Sequence, residues 1–207
     1  MGRRRDKLQT LVQAGGERVH PIVADLSEAS GIAEVARSAG AWRNELAAVA
    51  QCAGDFLVAP MEKTTAEEFE RIWRITVWAK FLLTRALLRQ LEGAGAPRAI
   101  VHVASLAAHE DFAGETAYMS AMHALIGLAR AQDIELRGRG IRAAVVSPGL
   151  VRTELTERSG FSAADLAQAL PPGAIAESIF QLVATIRGGG YIGEIFHLPG
   201  VGSSPQN

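Results

Sequence analysis

Short apolar runs alternate along the chain with longer segments whose apolar residues recur every three or four positions. The short runs predict β-strands, and several are almost continuously apolar, as expected of strands covered on both faces. They lie at residues 19–24, 46–50, 99–105, 142–147 and 194–197. Strands that alternate with helices in this way are typical of an α/β fold built on a doubly wound parallel sheet.

Three helices are predicted between these strands. Residues 64–92 begin with Thr, have Glu three residues later as in a capping box, and then repeat apolar residues at helical spacing. Residues 117–140 form a second long helix that a Gly-rich turn ends, and residues 174–186 form a third that the sequence RGGG stops. Neither a repeat nor a linker divides the chain, so we predict a single domain over residues 1–207.

The least regular long segment is residues 150–172, which has Pro and Gly near both ends. It leaves the carboxyl end of a predicted strand, where open α/β sheets bind their ligands. We interpret it as a candidate substrate lid. The alternative is a surface connection that contains one short helix.

Composition excludes several classes of function. The formal net charge of −1 gives no electrostatic footprint for nucleic acid. Cys52 is the sole cysteine, so the chain has neither an internal disulfide nor a cysteine metal cluster, and we expect no metal and a reducing, cytoplasmic location. The longest apolar runs are interrupted by Arg or Lys well before about 18 residues, so no membrane span is expected.

Ser105 and Tyr118 are the first candidates for chemistry. Ser105 ends a predicted strand and Tyr118 begins the helix that folds back beside it, so both can converge at the carboxyl edge of the sheet. There a Ser hydroxyl can hydrogen-bond a carbonyl group, and a Tyr hydroxyl can exchange a proton with it. A strand-end Ser and a helix-start Tyr are also common without any function.

Six motifs in order give these two residues a context. They are ADLS at 24–27, QCAG at 51–54, IVHVAS at 100–105, AYMSAMHALIGLAR at 117–130, VVSPGLVRTEL at 145–155 and YIGEIFHLPG at 191–200. Together they resemble the short-chain dehydrogenase/reductase family, whose fold is Rossmann-like. The resemblance implies that Ser105 and Tyr118 are catalytic and that a nicotinamide cofactor binds nearby. It implies cofactor contacts from Asp25, Leu26, Ala53, Gly54, Pro148, Gly149, Val151 and Thr153.

Two departures from the family pattern affect the expected proton chemistry. Met122 stands one turn after Tyr118, where the family has a Lys that lowers the Tyr pKa, and Thr76 stands at the position of the family's catalytic Asn. A tyrosine with the ordinary pKa of about 10 is ionised to roughly one part in a thousand at neutral pH, so alcohol oxidation should suffer more than ketone reduction. His123 is a poor substitute because it points about 100° away around the helix. Lys80 lies one turn beyond Thr76 and could lend a charge there, but we expect it to be solvated or at an interface.

A third departure is at the N-terminus, where the family's first strand, Gly-rich turn and helix are missing. The helix end that would hold the pyrophosphate is therefore absent, which argues against tight dinucleotide binding. The sequence GRRRDKL resembles the basic turn of NADP-preferring members, a role suited to Arg3 or Arg4, which favours NADP(H) over NAD(H). The alternative for these arginines is a solvated, frayed end.

The family's strand order 3-2-1-4-5-6-7 would leave the inner edge of its fourth strand uncovered without strands 1 and 2. Either residues 19–24 shift to pair with residues 46–50, or a partner chain covers the edge, or the natural protein starts further upstream. The ADLS and SPGLVRTEL motifs agree closely with the family pattern, which favours a truncated or mis-started reading frame.

Three functions remain open. The first is an NADP(H)-dependent oxidoreductase for a small carbonyl or alcohol, impaired or divergent in its catalysis. The second is a non-catalytic relative acting as a partner or regulatory subunit through the two long helices, which in this family commonly form a homo-oligomer interface. The third is non-redox chemistry, as in halohydrin dehalogenases; those relatives keep an Arg at the Lys position, and Met122 argues against their mechanism.

Overall fold

Four parallel strands form the sheet at the centre of the protein. The computed structural model describes residues 1–92, 95, 97–190 and 195–198, the last of these by their backbone alone. The strands are β1 (Ala48–Gln51), β2 (Arg98–Val103), β3 (Ile141–Pro148) and β4 (Ile195–Leu198), in the order β1-β2-β3-β4. Four of the five predicted strands are therefore confirmed, and the sheet order matches the last four strands of the expected fold.

Helices cover both faces of this sheet, as the continuous apolar strands predicted. On one face α4 (Ala79–Leu91) and α5 (Thr116–Leu136) pack on the strands and α2 (Ala29–Trp42) packs against α4, whereas α8 (Pro172–Arg187) covers the other face. Successive strand residues alternate between the two layers, since Ile100 packs in the α2–α4 cluster while Ala99 and Val101 pack in the α8 cluster. The doubly wound α/β class is confirmed.

The segment predicted as one helix over residues 64–92 is helical throughout but changes its winding. It comprises α3 (Ala66–Trp73), a π-helical stretch (Arg74–Trp78) and α4. The predicted capping box is present, because the Thr65 hydroxyl accepts from the Glu68 amide and the Glu68 carboxylate accepts from the Thr65 amide. A π-helical turn inserts one residue and so changes which side chains face the sheet beyond it.

The N-terminal region differs from the prediction. Residues 19–24 are not a strand of the sheet: Val23 makes a single parallel bridge to Gly2, and β1 pairs with β2 alone within the described part of the chain. The proposed pairing of residues 19–24 with residues 46–50 is therefore wrong. An apolar run becomes a strand only where a neighbour offers a ladder of hydrogen bonds, and here the neighbour supplies one residue.

Two helices in this region were not predicted, namely α1 (Arg5–Gly15) and α2. The start of α2 is held tightly against the ADLS turn. A Cβ at Gly31 would lie 1.9 Å from the Asp25 carbonyl oxygen, so only glycine fits there.

The segment 150–172 folds into two short helices, α6 (Glu154–Glu157) and α7 (Ala163–Gln168), rather than one. Its two ends meet, since Arg152 donates its amide to the Leu170 carbonyl at 2.9 Å and Leu170 donates to Leu150 at 2.8 Å. The segment is therefore a loop that lies over the carboxyl edge of the sheet and whose two ends are hydrogen-bonded to each other. Within the described residues, no helix combines the length and the apolar character that crossing a membrane requires.

Candidate active site

A cavity of about 490 Å³ lies at the carboxyl ends of β1, β2 and β3, beneath the 150–172 segment. Parallel strands end at the same edge of the sheet, so the loops that follow them meet there. Nine of the residues singled out in the sequence line this cavity: Ala53, Gly54, Ser105, Tyr118, Met122, Pro148, Gly149, Val151 and Thr153. The sequence motifs after three separate strands are thus brought together in one place.

Ser105 and Tyr118 both line this cavity, and their hydroxyl groups are close enough for Ser105 to influence the pKa of Tyr118. Ser105 follows β2 and its hydroxyl accepts from the Ala107 amide at 3.2 Å, which fixes the side chain at the strand end. Burial raises the pKa of Tyr118 to about 12, with the Ser105 hydrogen bond opposing this shift and the nearby Glu115 charge adding to it. Tyr118 is therefore a neutral phenol throughout the neutral range, suited to donating a proton and poorly suited to removing one.

Met122 lies one turn beyond Tyr118 and is only 3% exposed. It lines the cavity and packs in an apolar cluster that includes Ala104 and Leu125. His123 is exposed, and its Nδ1 hydrogen-bonds the Met119 carbonyl at 2.9 Å. The side of α5 that faces the cavity beyond Tyr118 is consequently uncharged.

The expectation that Lys80 is solvated or at an interface is wrong, because Lys80 is only 2% exposed. Its Nζ donates to the carbonyl oxygens of Gln51 at 3.0 Å and Val103 at 2.9 Å, at the carboxyl ends of β1 and β2. Burial lowers the pKa of Lys80 to about 8. Two backbone acceptors at neighbouring strand ends explain how an ammonium group is kept inside the protein.

Lys80 does not replace the missing charge beside Tyr118. Its electrostatic neighbours are Cys52 and His102, and it lines a second cavity of about 480 Å³ rather than the one that holds Tyr118. Thr76 lies in the π-helical stretch, is fully buried, and has no hydrogen-bond partner for its hydroxyl in the described residues. It lines neither cavity.

Glu115 is a site residue that the sequence reasoning missed. It lies immediately before α5, is 8% exposed and lines the cavity beside Ser105 and Tyr118. Burial raises the pKa of its carboxyl group to about 7. The signal was available, because Glu115 precedes Tyr118 by three residues and residues three apart lie on one side of a helix.

The remaining lining is apolar or acidic. The described residues around the cavity include Phe56, Phe112 and Phe161 and the carboxylates of Asp55, Asp111 and Asp165, but neither Lys nor Arg. No cluster of His, Cys, Asp and Glu suited to a metal ion occurs in the described residues.

The residues proposed for the adenosine end of a dinucleotide lie outside this cavity. Asp25 accepts hydrogen bonds from the Ser27 amide at 2.9 Å and the Ser27 hydroxyl at 2.7 Å, which lower its pKa, and Arg3 is 3.8 Å away. Arg4 forms an ion pair with Glu154 of α6.

Lys7 pairs with the same carboxylate, and the two cations lower the pKa of Glu154 to about 2. Leu26 lines the second cavity together with Gly2 and Lys80. The cofactor contacts of Arg3, Arg4, Asp25 and Leu26 remain predictions.

Similarity to known proteins agrees with this geometry. A family model described as short chain dehydrogenase matches residues 1–162. The 1-deoxy-11-beta-hydroxypentalenate dehydrogenase of Streptomyces exfoliatus is 30% identical over 146 residues, which cover 70% of this chain and 53% of that protein. The 2,3-dihydro-2,3-dihydroxybenzoate dehydrogenase of Escherichia coli (strain K12) is 32% identical over 133 residues, 64% of this chain and 53% of that protein. The chain spans about half the length of the curated relatives it matches.

Solved structures show the same fold. A short-chain dehydrogenase from Streptomyces avermitilis superimposes with a TM-score of 0.80 at 27% identity, covering 96% of this chain and 78% of that one. An alcohol dehydrogenase from the archaeon Thermococcus sibiricus reaches a TM-score of 0.84 at 20% identity, over 100% of this chain and 86% of that one. By its sheet order, its Ser105–Tyr118 pair and the family match over residues 1–162, the chain belongs to the short-chain dehydrogenase family.

Proposed function

We propose that this protein is an NADP(H)-dependent oxidoreductase that works in the direction of carbonyl reduction on a small substrate. The observation that carries the proposal is the Ser105–Tyr118 pair, with its neutral phenol, in a cavity at the carboxyl edge of the sheet. Reduction of a carbonyl group consumes a hydride and a proton. A phenol that stays protonated at neutral pH is the group that this direction requires.

The chain's own residues have separate parts in this reaction. The Ser105 hydroxyl donates a hydrogen bond to the substrate carbonyl and holds it near the phenol. The Tyr118 hydroxyl gives its proton to the oxygen as negative charge develops there. The stacked rings of Phe56 and Phe161 line the same cavity and give it an apolar wall.

The nicotinamide end of the cofactor fits the cavity better than the rest of the molecule does. Ala53, Gly54, Gly149 and Thr153 supply small side chains and a hydroxyl group there, which suits an uncharged carboxamide and a ribose. Bound there, the nicotinamide would supply the hydride. The described residues offer no Gly-rich turn for the diphosphate, so we propose weak binding.

The preference for NADP(H) is proposed from the basic N-terminus. Arg3 and Arg4 are exposed; Arg3 lies beside Asp25, and Arg4 is paired with Glu154. Two proteins of this fold have been solved with such ligands: the Thermococcus sibiricus enzyme with 5-hydroxy-NADP, and Pseudomonas aeruginosa RhlG in an NADP active-site complex. A planar guanidinium group is well suited to a ribose phosphate.

Impaired catalysis of the reverse reaction follows from the Tyr118 pKa of about 12. At neutral pH about one such phenol in 10⁵ is ionised, a hundredfold fewer than for an ordinary tyrosine. Alcohol oxidation, which needs the phenolate, is therefore slowed more than carbonyl reduction.

A non-catalytic role as a partner subunit is the second candidate, and exposed apolar side chains on the long helices favour it. Phe69 on α3, Phe81 on α4 and Ile134 on α5 are 39%, 45% and 65% exposed. We propose that these helices form a homo-oligomer interface, which is compatible with either function. The sole cysteine supports a cytoplasmic location.

The test is a calorimetric titration of NADPH and of NADH into the folded chain, followed by an assay of carbonyl-dependent NADPH consumption. We expect NADPH to bind more tightly than NADH, and Tyr118→Phe to retain that binding while losing most turnover. Ser105→Ala should weaken turnover in the same way. A folded, oligomeric protein that binds neither nucleotide would refute the oxidoreductase proposal and favour the partner subunit.

A further inference from the structure

Glu115 is 8% exposed as a residue, and its carboxyl group makes no hydrogen bond or ion pair with another described side chain. It lines the cavity, and it does not cap α5, because no side-chain hydrogen bond is made at this N-cap position. The Glu115 oxygens are not among the fully buried, unpartnered side-chain atoms of the described residues, so the carboxyl group opens onto the cavity, where a ligand can contact it.

The other acidic residues around the cavity are already engaged. Asp55 forms an ion pair with Arg71, and Asp165 accepts from the Ser162 amide at 3.1 Å and from its hydroxyl at 2.6 Å. Asp111 also has a partner. Glu115 is thus the carboxyl group that remains for a ligand among the described lining residues.

Aromatic rings form much of the rest of the wall. Phe56 meets Tyr118 edge to face, with ring centroids 4.8 Å apart, and stacks on Phe161 at 5.6 Å. Phe112 lines the same cavity. Aromatic faces attract cations, and they contribute more when the cation is shielded from water. Aromatic rings beside an unpaired carboxyl group, with neither Lys nor Arg among the described lining residues, favour a positively charged ligand over a phosphate or carboxylate.

We propose that the substrate carries an amine or quaternary ammonium group that Glu115 binds against these aromatic rings. The proposal rests on the proposed function in one respect, namely that the substrate's carbonyl lies at Ser105 and Tyr118. Glu115 then sets substrate specificity, because it contacts a part of the molecule other than the reacting carbonyl. Substrates that bear a phosphate or a coenzyme A group are disfavoured by the same charge.

The pH dependence of binding gives this proposal a signature. Below its pKa of about 7 the carboxyl group is neutral and attracts a cation weakly; above it, the carboxylate attracts the cation fully. The titratable groups around it are Tyr118 on α5, Cys52 at the end of β1, Asp55 on the following loop, Asp111 and, on α7, Asp165. Tyr118 keeps its proton up to about pH 12, Asp55 forms an ion pair with Arg71, and Asp165 accepts a hydrogen bond from the Ser162 hydroxyl.

A matched pair of probes tests the proposal without turnover. Phenacyl-trimethylammonium has a fixed positive charge, and in its carbon isostere a tert-butyl group replaces the trimethylammonium group. We expect calorimetry to show the cation bound about tenfold more tightly than the isostere at about pH 8. Affinity for the cation should fall by up to tenfold on going to about pH 6, while the isostere should bind equally at both values.

Glu115→Gln supplies the decisive variant, because it keeps the shape and removes the charge without removing a helix cap. It should abolish both the preference for the cation and its pH dependence. Glu110→Gln removes an exposed charge outside the cavity lining and should leave both unchanged.

The proposal is overturned if the cation fails to bind at millimolar concentration, if the isostere binds equally well, or if Glu115→Gln retains the preference. Because no nucleotide is present, failure to bind NADPH would count against the proposed function alone.

Discussion

Replacement of Met122 by lysine restores a cation one helical turn from Tyr118, and its expected effect is on the tyrosine pKa. Met122 lines the cavity, so a longer side chain at this position can extend its ammonium group toward the open volume. Residues four apart on a helix have Cβ atoms about 6 Å apart. A positive charge at this distance stabilises the phenolate over the phenol, and so it lowers the pKa.

The magnitude follows from the distance and the local dielectric. Two unit charges about 6 Å apart interact by roughly 3 kcal/mol at an effective dielectric constant near 20. Since about 1.4 kcal/mol corresponds to one pKa unit, we expect the Tyr118 pKa to fall by about 2, from about 12 to roughly 10. The ionised fraction at neutral pH then rises about a hundredfold, and alcohol oxidation should rise with it.

The assay uses the small number of tyrosines in the chain, which are Tyr118 and Tyr191. In a Tyr191→Phe background, the absorbance of tyrosinate reports Tyr118 alone. Without further change we expect no ionisation before alkaline unfolding, whereas Met122→Lys should titrate near pH 10 while still folded. Met122→Gln, which is polar but uncharged, should behave like the parent. A folded Met122→Lys protein whose Tyr118 stays un-ionised beyond about pH 11 would refute the electrostatic reasoning.

Two further predictions concern stability. The folded pKa of Lys80, about 8, lies below its usual 10.5, so the unfolded chain binds more protons between these values and stability should rise with pH there by roughly 3 kcal/mol. In urea unfolding at these two pH values, Lys80→Met should show no such rise in the free energy of unfolding. A rise as large as that of the parent would contradict the burial of a charged lysine. Asp133 accepts from Arg142 Nε at 2.7 Å and from the Ala143 amide at 3.0 Å, so Asp133→Asn should lower the free energy of unfolding by about 3 kcal/mol. Urea midpoints equal to those of the parent would show that the pair contributes nothing net.

The central strands and the long helix were predictable from sequence because local signals agreed with tertiary packing there. β2 and β3 are mostly apolar strands, and most of their residues are buried. The capping box at Thr65 fixed the start of the helix before Phe69. Where local and global preferences coincide, pattern alone predicts an element well.

The N-terminal region failed for the opposite reason. Residues 19–24 have the composition of a strand, but they meet one bridging residue instead of a ladder. The helix α1 has a single buried residue, Leu8, so it offers almost no apolar period to detect.

Sequence motifs predicted which residues come together at the site. They did not predict where the buried charged residues lie. Ser105, Tyr118 and the Pro148–Gly149 turn converge as the motifs indicated. Lys80 is buried because carbonyl groups at the ends of two strands accept its hydrogen bonds. The spacing of residues within its own helix does not reveal these acceptors. Glu115 gave a helical-spacing signal, but its lack of a partner is visible only in three dimensions.

The positions of these two buried groups determine what the Ser–Tyr pair can do. The cation, Lys80, is held by strand-end carbonyls and acts on Cys52 and His102, while the acidic group, Glu115, lies beside the phenol. Both arrangements leave the proton on Tyr118: the first withholds a stabilising charge from the phenolate, and the second adds a repulsive one. A site with this polarity favours donation of the tyrosine proton to an alkoxide over its removal. Because the same carboxylate that disfavours the phenolate also attracts a cation, the proposed carbonyl reduction and the proposed selection of a positively charged substrate rest on one placement of charge.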